Sequence, residues 1–146
     1  MTHAIRIHQT GGPEVLRWEQ IDVPAPAAGE ATVRHHAVGL NFIDTYHRTG
    51  LYPLSLPSGI GLEGAGVVTA VGEGVSEVIV GDRVAYAGGL PGAYAEVRNI
   101  PAHRLLKLPE NIGLNTAAAM MLQGLTAAYL LRRTYRVQAG DAVLIH

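Results

Sequence analysis

The feature that most constrains this chain is the run Gly59-Ile60-Gly61-Leu62-Glu63-Gly64-Ala65-Gly66-Val67-Val68-Thr69-Ala70-Val71-Gly72-Glu73-Gly74-Val75. Its opening, Gly59-x-Gly61-x-x-Gly64, has the spacing of a dinucleotide fingerprint. Its context is wrong for one. A working fingerprint follows a buried strand and opens a helix whose N-terminus faces a pyrophosphate. Here the run follows the proline-punctuated loop Tyr52-Pro53-Leu54-Ser55-Leu56-Pro57-Ser58 and leads into β-branched Val67-Val68-Thr69-Ala70-Val71, which predicts a strand. Glycines permit tight turns and close backbone approach. The run therefore reads as a loop entering a core strand and leaving it through Gly72-Glu73-Gly74.

The remainder is punctuated in the same way. Short alternating segments are predicted as strands at Ala4–His8, Val15–Val23, Ala31–Val38, Arg83–Tyr86 and Ala93–Val97, separated by turns rich in Gly and Pro, and Leu105-Leu106-Lys107-Leu108 precedes Pro109. Such spacing is the habit of an all-β barrel or sandwich. One short helix interrupts it: Asn41 is a cap, Asp44 stands three residues on in a box-like arrangement, and Gly50 ends the helix. After Pro109 the pattern turns helical, with Asn115 as predicted cap, Thr116–Leu122 as one helical piece, an interruption at Gly124, and a second piece over Thr126–Arg133. Arg132, Arg133 and Arg136 then complement the negative end of a helix. Ala142-Val143-Leu144-Ile145-His146 is an unbroken apolar run of the kind found in a strand buried on both faces of a parallel sheet. Such a strand needs a parallel neighbour reached by a crossover, and the expectation is that the chain stops after the first strand of a second, doubly wound domain.

Composition excludes several classes of function. Hydrophobic residues make up 48% of 146 residues and charged residues 16%, so a folded core is affordable and disorder is not expected. A net charge of −1 offers no basic face for nucleic acid. The absence of cysteine rules out disulfides, thiolate catalysis and cysteine-ligated zinc, and permits a reducing compartment such as the cytoplasm. No stretch reaches roughly 18 consecutive apolar residues, so no membrane span is expected. His35 and His36 are adjacent on a strand and point to opposite faces, so they cannot converge on a metal.

The order of motifs resembles the N-terminal, GroES-like catalytic domain of the medium-chain dehydrogenase/reductase superfamily, and within it the zinc-free quinone oxidoreductase (zeta-crystallin-like) branch. The carriers are Gly11-Gly12-Pro13-Glu14-Val15-Leu16, Gly39-Leu40-Asn41-Phe42-Ile43-Asp44-Thr45-Tyr46, Arg48-Thr49-Gly50-Leu51-Tyr52-Pro53, Glu63-Gly64-Ala65-Gly66-Val67-Val68, Gly81-Asp82-Arg83-Val84-Ala85-Tyr86 and Gly124-Leu125-Thr126-Ala127-Ala128-Tyr129. The likeness runs over essentially the whole chain. It implies a mainly β, GroES-like barrel over residues 1–122, followed by the first helix and strand of a Rossmann domain over 123–146. The zinc dehydrogenases of this superfamily carry a cysteine near Asn41–Asp44 and a histidine before the glutamate that matches Glu63. This chain has no cysteine, and Leu62 stands before Glu63. Catalytic zinc needs three protein ligands and an open position, so the departure points to the metal-free branch.

The resemblance implies an NADPH-dependent quinone reductase, usually a homodimer. Asn41, Phe42, Ile43, Asp44, Thr45 and Tyr129 would contact the cofactor, and Tyr46 and Tyr52 would line the quinone pocket. Tyr46, Tyr52 and Thr126 are the candidate proton donors or catalytic groups. Each has a plainer reading beside this one. Asn41 and Asp44 are accounted for as cap and first-turn acid, Tyr46 and Tyr52 as core rings with a wet hydroxyl, and Thr126 and Tyr129 as packing residues that share a helix face. Glu63 is expected to meet a salt bridge or backbone donors rather than to act in catalysis. His47 and His103 are expected to be solvated. An enoyl reductase of the same superfamily and a non-catalytic crystallin-like or binding module are the competing functions.

Overall fold

The computed structural model describes residues 2–145. Strands dominate it, as the sequence predicts. They are β1 (Thr2–Ile7), β2 (Arg17–Ile21), β3 (Glu30–Gly39), β4 (Ser58–Gly59), β5 (Glu63–Val71), β6 (Arg83–Ala87), β7 (Val97–Pro101) and β8 (Leu106–Lys107), with the helices α1 (Phe42–Thr49) and α2 (Leu114–Tyr129). The strands form two antiparallel sheets, ordered β2-β1-β4 and β7-β3-β5-β6-β8. A bridge between Ala4 of β1 and Ala95, just ahead of β7, connects them, with backbone bonds from Ile5 to Tyr94 and from Glu96 to His3 beside it.

β5 is the middle strand of the larger sheet, flanked by β3 and β6. The glycine-rich run thus enters a core strand, and no helix follows it. Its glycines answer to close packing. A side chain at Gly66 would place a Cβ 2.0 Å from the backbone carbonyl oxygen of Arg34. Opposite it, β3 carries irregularities between Thr32 and Val33 and between His35 and Ala37. The second leaves His36 outside the register, a β-bulge that bends the strand.

Strands β3, β5, β6 and β7 of the larger sheet and the loops between them enclose a core of Val33, Val68, Val78, Val84, Tyr86 and Ile100, with smaller residues around them. A second cluster joins α2 to the outer face of the larger sheet through Ala65, Ala85, Ala117, Ala118 and Met121. Alanine meets alanine across this contact, so the helix backbone approaches the sheet closely. A third cluster, Ile7, Val15 and Ile60, closes the end below α1.

Four local expectations need correction. Val15 belongs to a 3₁₀ turn at Pro13–Val15, so β2 begins only at Arg17; Pro13 at the head of a turn favours that helical bend over extension. Ala93–Val97 is not one strand: Ala95 makes only the isolated bridge and β7 starts at Val97. α2 is continuous and starts from Gly113 rather than Asn115. Gly124 sits inside it, because one glycine costs a helix only about 1 kcal/mol and the packed first half outweighs that. Finally, residues 142–145 pair with nothing among the described residues. The strand expected there is not formed, since extended chain becomes a strand only when a neighbour takes up its hydrogen bonds; His146 lies outside the described residues.

α2 runs on through a π-turn at Leu130–Thr134. The combined segment Leu114–Thr134 is long and apolar enough, by length and composition, to cross a membrane. Its first half is instead the packed half: Ala117, Ala118 and Met121 are buried, whereas every residue from Leu125 to Ile145 is exposed.

Candidate active site

The site is built on the start of α1. Asn41 is extended at the N-cap, and its backbone N–H donates to Asp44 Oδ2 at 2.9 Å. This is the returning half of the box predicted from the sequence. At the other end Gly50 takes φ 84°, and its N–H reaches the His47 carbonyl, as a glycine C-cap does. Asp44 is buried, and it accepts a second bond, from the Tyr94 hydroxyl at 2.7 Å. Burial, reinforced by the Asp44 bond and charge, holds the Tyr94 hydroxyl well above its ordinary pKa, so it is a permanent donor. Asp44 Oδ1 is buried without a protein partner. Asp44 also lines a cavity of about 160 Å³ with Leu40, Asn41, Phe42, Thr45 and Tyr94. A wider apolar hollow of about 480 Å³ shares Leu40 and Tyr94 with it.

Behind Asn41 stands Glu63, 1% exposed. Its Oε1 accepts from the Asn41 side-chain amide at 2.6 Å, and its Oε2 accepts from the backbone N–H of Leu122 in α2, also at 2.6 Å. The expectation of backbone contacts for Glu63 is met, and no cation pairs with it among the described residues. One turn further along α2, the Thr126 hydroxyl donates to the Leu122 carbonyl at 2.8 Å. One carboxylate therefore brings the cap of α1 and the turn of α2 that carries Thr126 into a single connected set. Gly39 makes room for it: a Cβ there would lie 2.2 Å from Glu63 Oε1.

The outward edge of α1 is aromatic. Phe42 and Tyr46, four residues apart, meet edge to face with centroids 5.3 Å apart, and Tyr46 meets Tyr52 at the same separation. The Tyr52 N–H donates to the Tyr46 carbonyl at 3.1 Å, which folds the loop after α1 back onto the helix. Phe42 is 73% exposed and Tyr129 63%; the edge is not sealed into the body. Ile43 and Tyr46 are half-buried. The hydroxyls of Thr45 and Thr126 donate to carbonyls of their own helices, so in this arrangement both face a ligand as acceptors. Tyr129 lies two turns beyond Leu122, on the exposed part of α2.

His47 departs from expectation. It is buried rather than solvated, because it lies three residues from Asp44 on the face of α1 turned to the body. His103 is exposed. His35 and His36 diverge as their alternation requires: His36 is exposed, and His35 turns inward. His35 Nδ1 lies 2.6 Å from the Ala95 carbonyl and Nε2 2.8 Å from the Tyr86 hydroxyl. A carbonyl only accepts, so Nδ1 carries the proton and Nε2 accepts from Tyr86. Burial, and after it the Arg98 charge, lowers the His35 pKa against the opposing pull of Ala95. Sequence reasoning missed this pair and missed Tyr94. Neither has a local signature, since both depend on which strands become neighbours.

Comparison with known proteins places this geometry. Residues 27–110 match the alcohol dehydrogenase GroES-like domain. The chain belongs to that family. A quinone oxidoreductase of Pseudomonas aeruginosa is 50% identical over 147 aligned residues, which take in 100% of this chain and 45% of that protein. Among solved structures, the quinone oxidoreductase of Pseudomonas syringae pv. tomato DC3000 superposes with a TM-score of 0.94 at 52% identity, covering 97% of this chain and 44% of that one. The Escherichia coli quinone oxidoreductase complexed with NADPH gives 0.91 at 50% identity, covering 93% and 42%. The resemblance to the quinone oxidoreductase branch is thus upheld, for a GroES-like chain that spans about half the length of the curated relatives it matches.

Proposed function

We propose that this chain forms the substrate-side half of an NADPH-dependent quinone reductase. The observation that carries the reading is the 50% identity to a quinone oxidoreductase along the entire chain. The geometry of the α1 edge supports it. Asp44 Oδ1, buried and free beside a small cavity, suits a donor such as a carboxamide or ribose hydroxyl. Asn41, Phe42, Ile43, Thr45 and Tyr129 complete the proposed cofactor wall, and the aromatic pair Tyr46 and Tyr52 offers flat faces to a quinone.

The residues fit the nicotinamide side of such a cofactor only. The run Gly59–Gly66 leads into β5 and presents no helix N-terminus to a pyrophosphate. NADPH, when bound, supplies the hydride. What this chain does is orient and shield: it holds the acceptor against the nicotinamide and narrows the access of water. A quinone is already electrophilic, so no metal or strong acid is required. Tyr46, Tyr52, water, or Thr126 once its hydroxyl turns away from the Leu122 carbonyl, can return the proton, and no single side chain is indispensable. We further propose a zinc-free, cytoplasmic, homodimeric enzyme without a membrane span. The division at 122/123 belongs to the same proposal, and the end of burial in α2 just before that point supports it.

An acceptor screen tests the reading on the protein that carries this chain together with its cofactor-binding part. Loss of NADPH absorbance with quinones, and slower loss with enoyl thioesters, is the expected result. Preference for enoyl thioesters would reassign the enzyme to the enoyl reductases. Tight NADPH binding with no oxidation by any acceptor would make it a binding module.

A further inference from the structure

We infer that Glu63 is a positioning residue, which sets the orientation of the Asn41 amide and locks it to α2. An amide side chain can be turned either way, and only its partners decide which end faces where. Here both partners of Glu63 are donors: the Asn41 side-chain nitrogen and the Leu122 backbone N–H, each 2.6 Å from a carboxylate oxygen. An ionised carboxylate accepts at both ends and donates at neither. It therefore fixes the nitrogen of Asn41 toward the body and leaves the amide oxygen toward the start of α1, where the first-turn N–H groups want an acceptor. A neutral amide at position 63 cannot do this. One of its ends is a donor and would face a donor, unless Asn41 turns over and points its own nitrogen at the N-terminus of α1.

The same carboxylate fixes distance as well as direction. Glu63 sits at the start of β5, directly across from Gly39 of β3, and a side chain at Gly39 would occupy its space. The strand pair thus holds the carboxylate still while its two oxygens hold α1 and α2. Leu122 then passes the constraint on, because its carbonyl receives the Thr126 hydroxyl. Asn41 at the cap of α1 and Thr126 on α2 are set by one buried group that touches neither substrate nor cofactor in the proposed site.

The kinetic arm of the test rests on the reductase reading, and the spectroscopic arm does not. In the 146-residue chain, the Leu122 amide proton is expected downfield of the other α2 amides, as a short bond to a carboxylate requires. Glu63→Gln should move it upfield and shift the side-chain amide resonances of Asn41. The double variant N41D/E63Q returns a carboxylate to the 41–63 pair with donor and acceptor exchanged, and should restore the melting temperature, while the Leu122 proton, now bonded to a neutral amide oxygen, stays upfield. In the protein with its cofactor-binding part, E63Q should lower kcat by about tenfold or more, well below its melting temperature, with KM for the quinone changed much less, because misorientation is felt at the reacting geometry. A Leu122 amide indistinguishable from its helix neighbours in the unsubstituted chain overturns the inference, even if E63Q does not fold. So does an E63Q protein with unshifted Asn41 resonances and full kcat. If no acceptor oxidises NADPH but the resonances behave as expected, the reductase reading fails and the positioning role stands.

Discussion

Two residues decide much of what holds this site together, and both can be tested singly. Gly39 faces Glu63 across the β3–β5 pair, and the carboxylate is tied at both oxygens and cannot step aside. Gly39→Ala is therefore expected to destabilise the chain by about 2 kcal/mol, within the range for overpacking a closed site. Urea unfolding measures it, and an unchanged midpoint would show that Glu63 moves. His35 makes a second test. Its pKa is lowered in the folded state, so the unfolded chain takes up a proton first as pH falls through about 6.5, the ordinary value for histidine. Its stabilising contribution is complete above that value and is lost below it, down to the lowered folded pKa. Stability should thus fall by at most about 1.4 kcal/mol per pH unit in that window on account of this residue. His35→Gln should flatten the slope, read from denaturation midpoints at pH 7.5 and 5.5.

At the scale of elements, α1 and α2 show opposite economies. α1 is short, and its ends are closed by the Asp44 return bond and the Gly50 cap, so its boundaries are local properties of the sequence. α2 has a glycine at its cap and another at position 124, and it persists because alanines dock it onto β5 and β6. Gly124 adopts ordinary helical geometry, and an added Cβ would meet only Met120 Cε, at 3.8 Å. Gly124→Ala should therefore raise stability by about 0.5–1 kcal/mol, the difference in helix propensity, seen as a higher melting temperature with unchanged helical content. Had the interruption predicted from Gly124 been real, the same substitution would increase helicity instead.

Across the whole molecule, apolar exposure is uneven. Leu125, Tyr129, Leu130, Leu131 and Tyr135 face solvent in one continuous segment, beyond the point where packing against the sheets ends. The structure thus offers one wall of the proposed cleft. The 146-residue chain by itself is expected not to oxidise NADPH with a quinone, and turnover at an ordinary enzymatic rate would refute the division of labour proposed between its residues and a phosphate-binding part. In the protein with that part present, Tyr46→Phe is expected to retain quinone turnover within about threefold, since water and two other hydroxyls can return the proton; a loss of 10²-fold or more, the usual weight of a general acid, would make Tyr46 the donor.

The sequence by itself determined the periodicities and the punctuation. Alternation gave the strands, the Asn41–Asp44 box and Gly50 gave α1, and the residues after Gly66 refused the helix that a nucleotide loop requires. These depend on interactions within a few residues of one another. Only the tertiary structure decided that Glu63 would meet Asn41 and Leu122, that Tyr94 would find Asp44, that His35 would turn inward onto Tyr86, and that α2 would run through Gly124. Such partners lie 22 positions apart for Asn41 and Glu63 and 50 or more apart for the other three contacts. Strand neighbours bring them within hydrogen-bond range, and a buried polar group must then take whichever donor or acceptor the fold delivers to it.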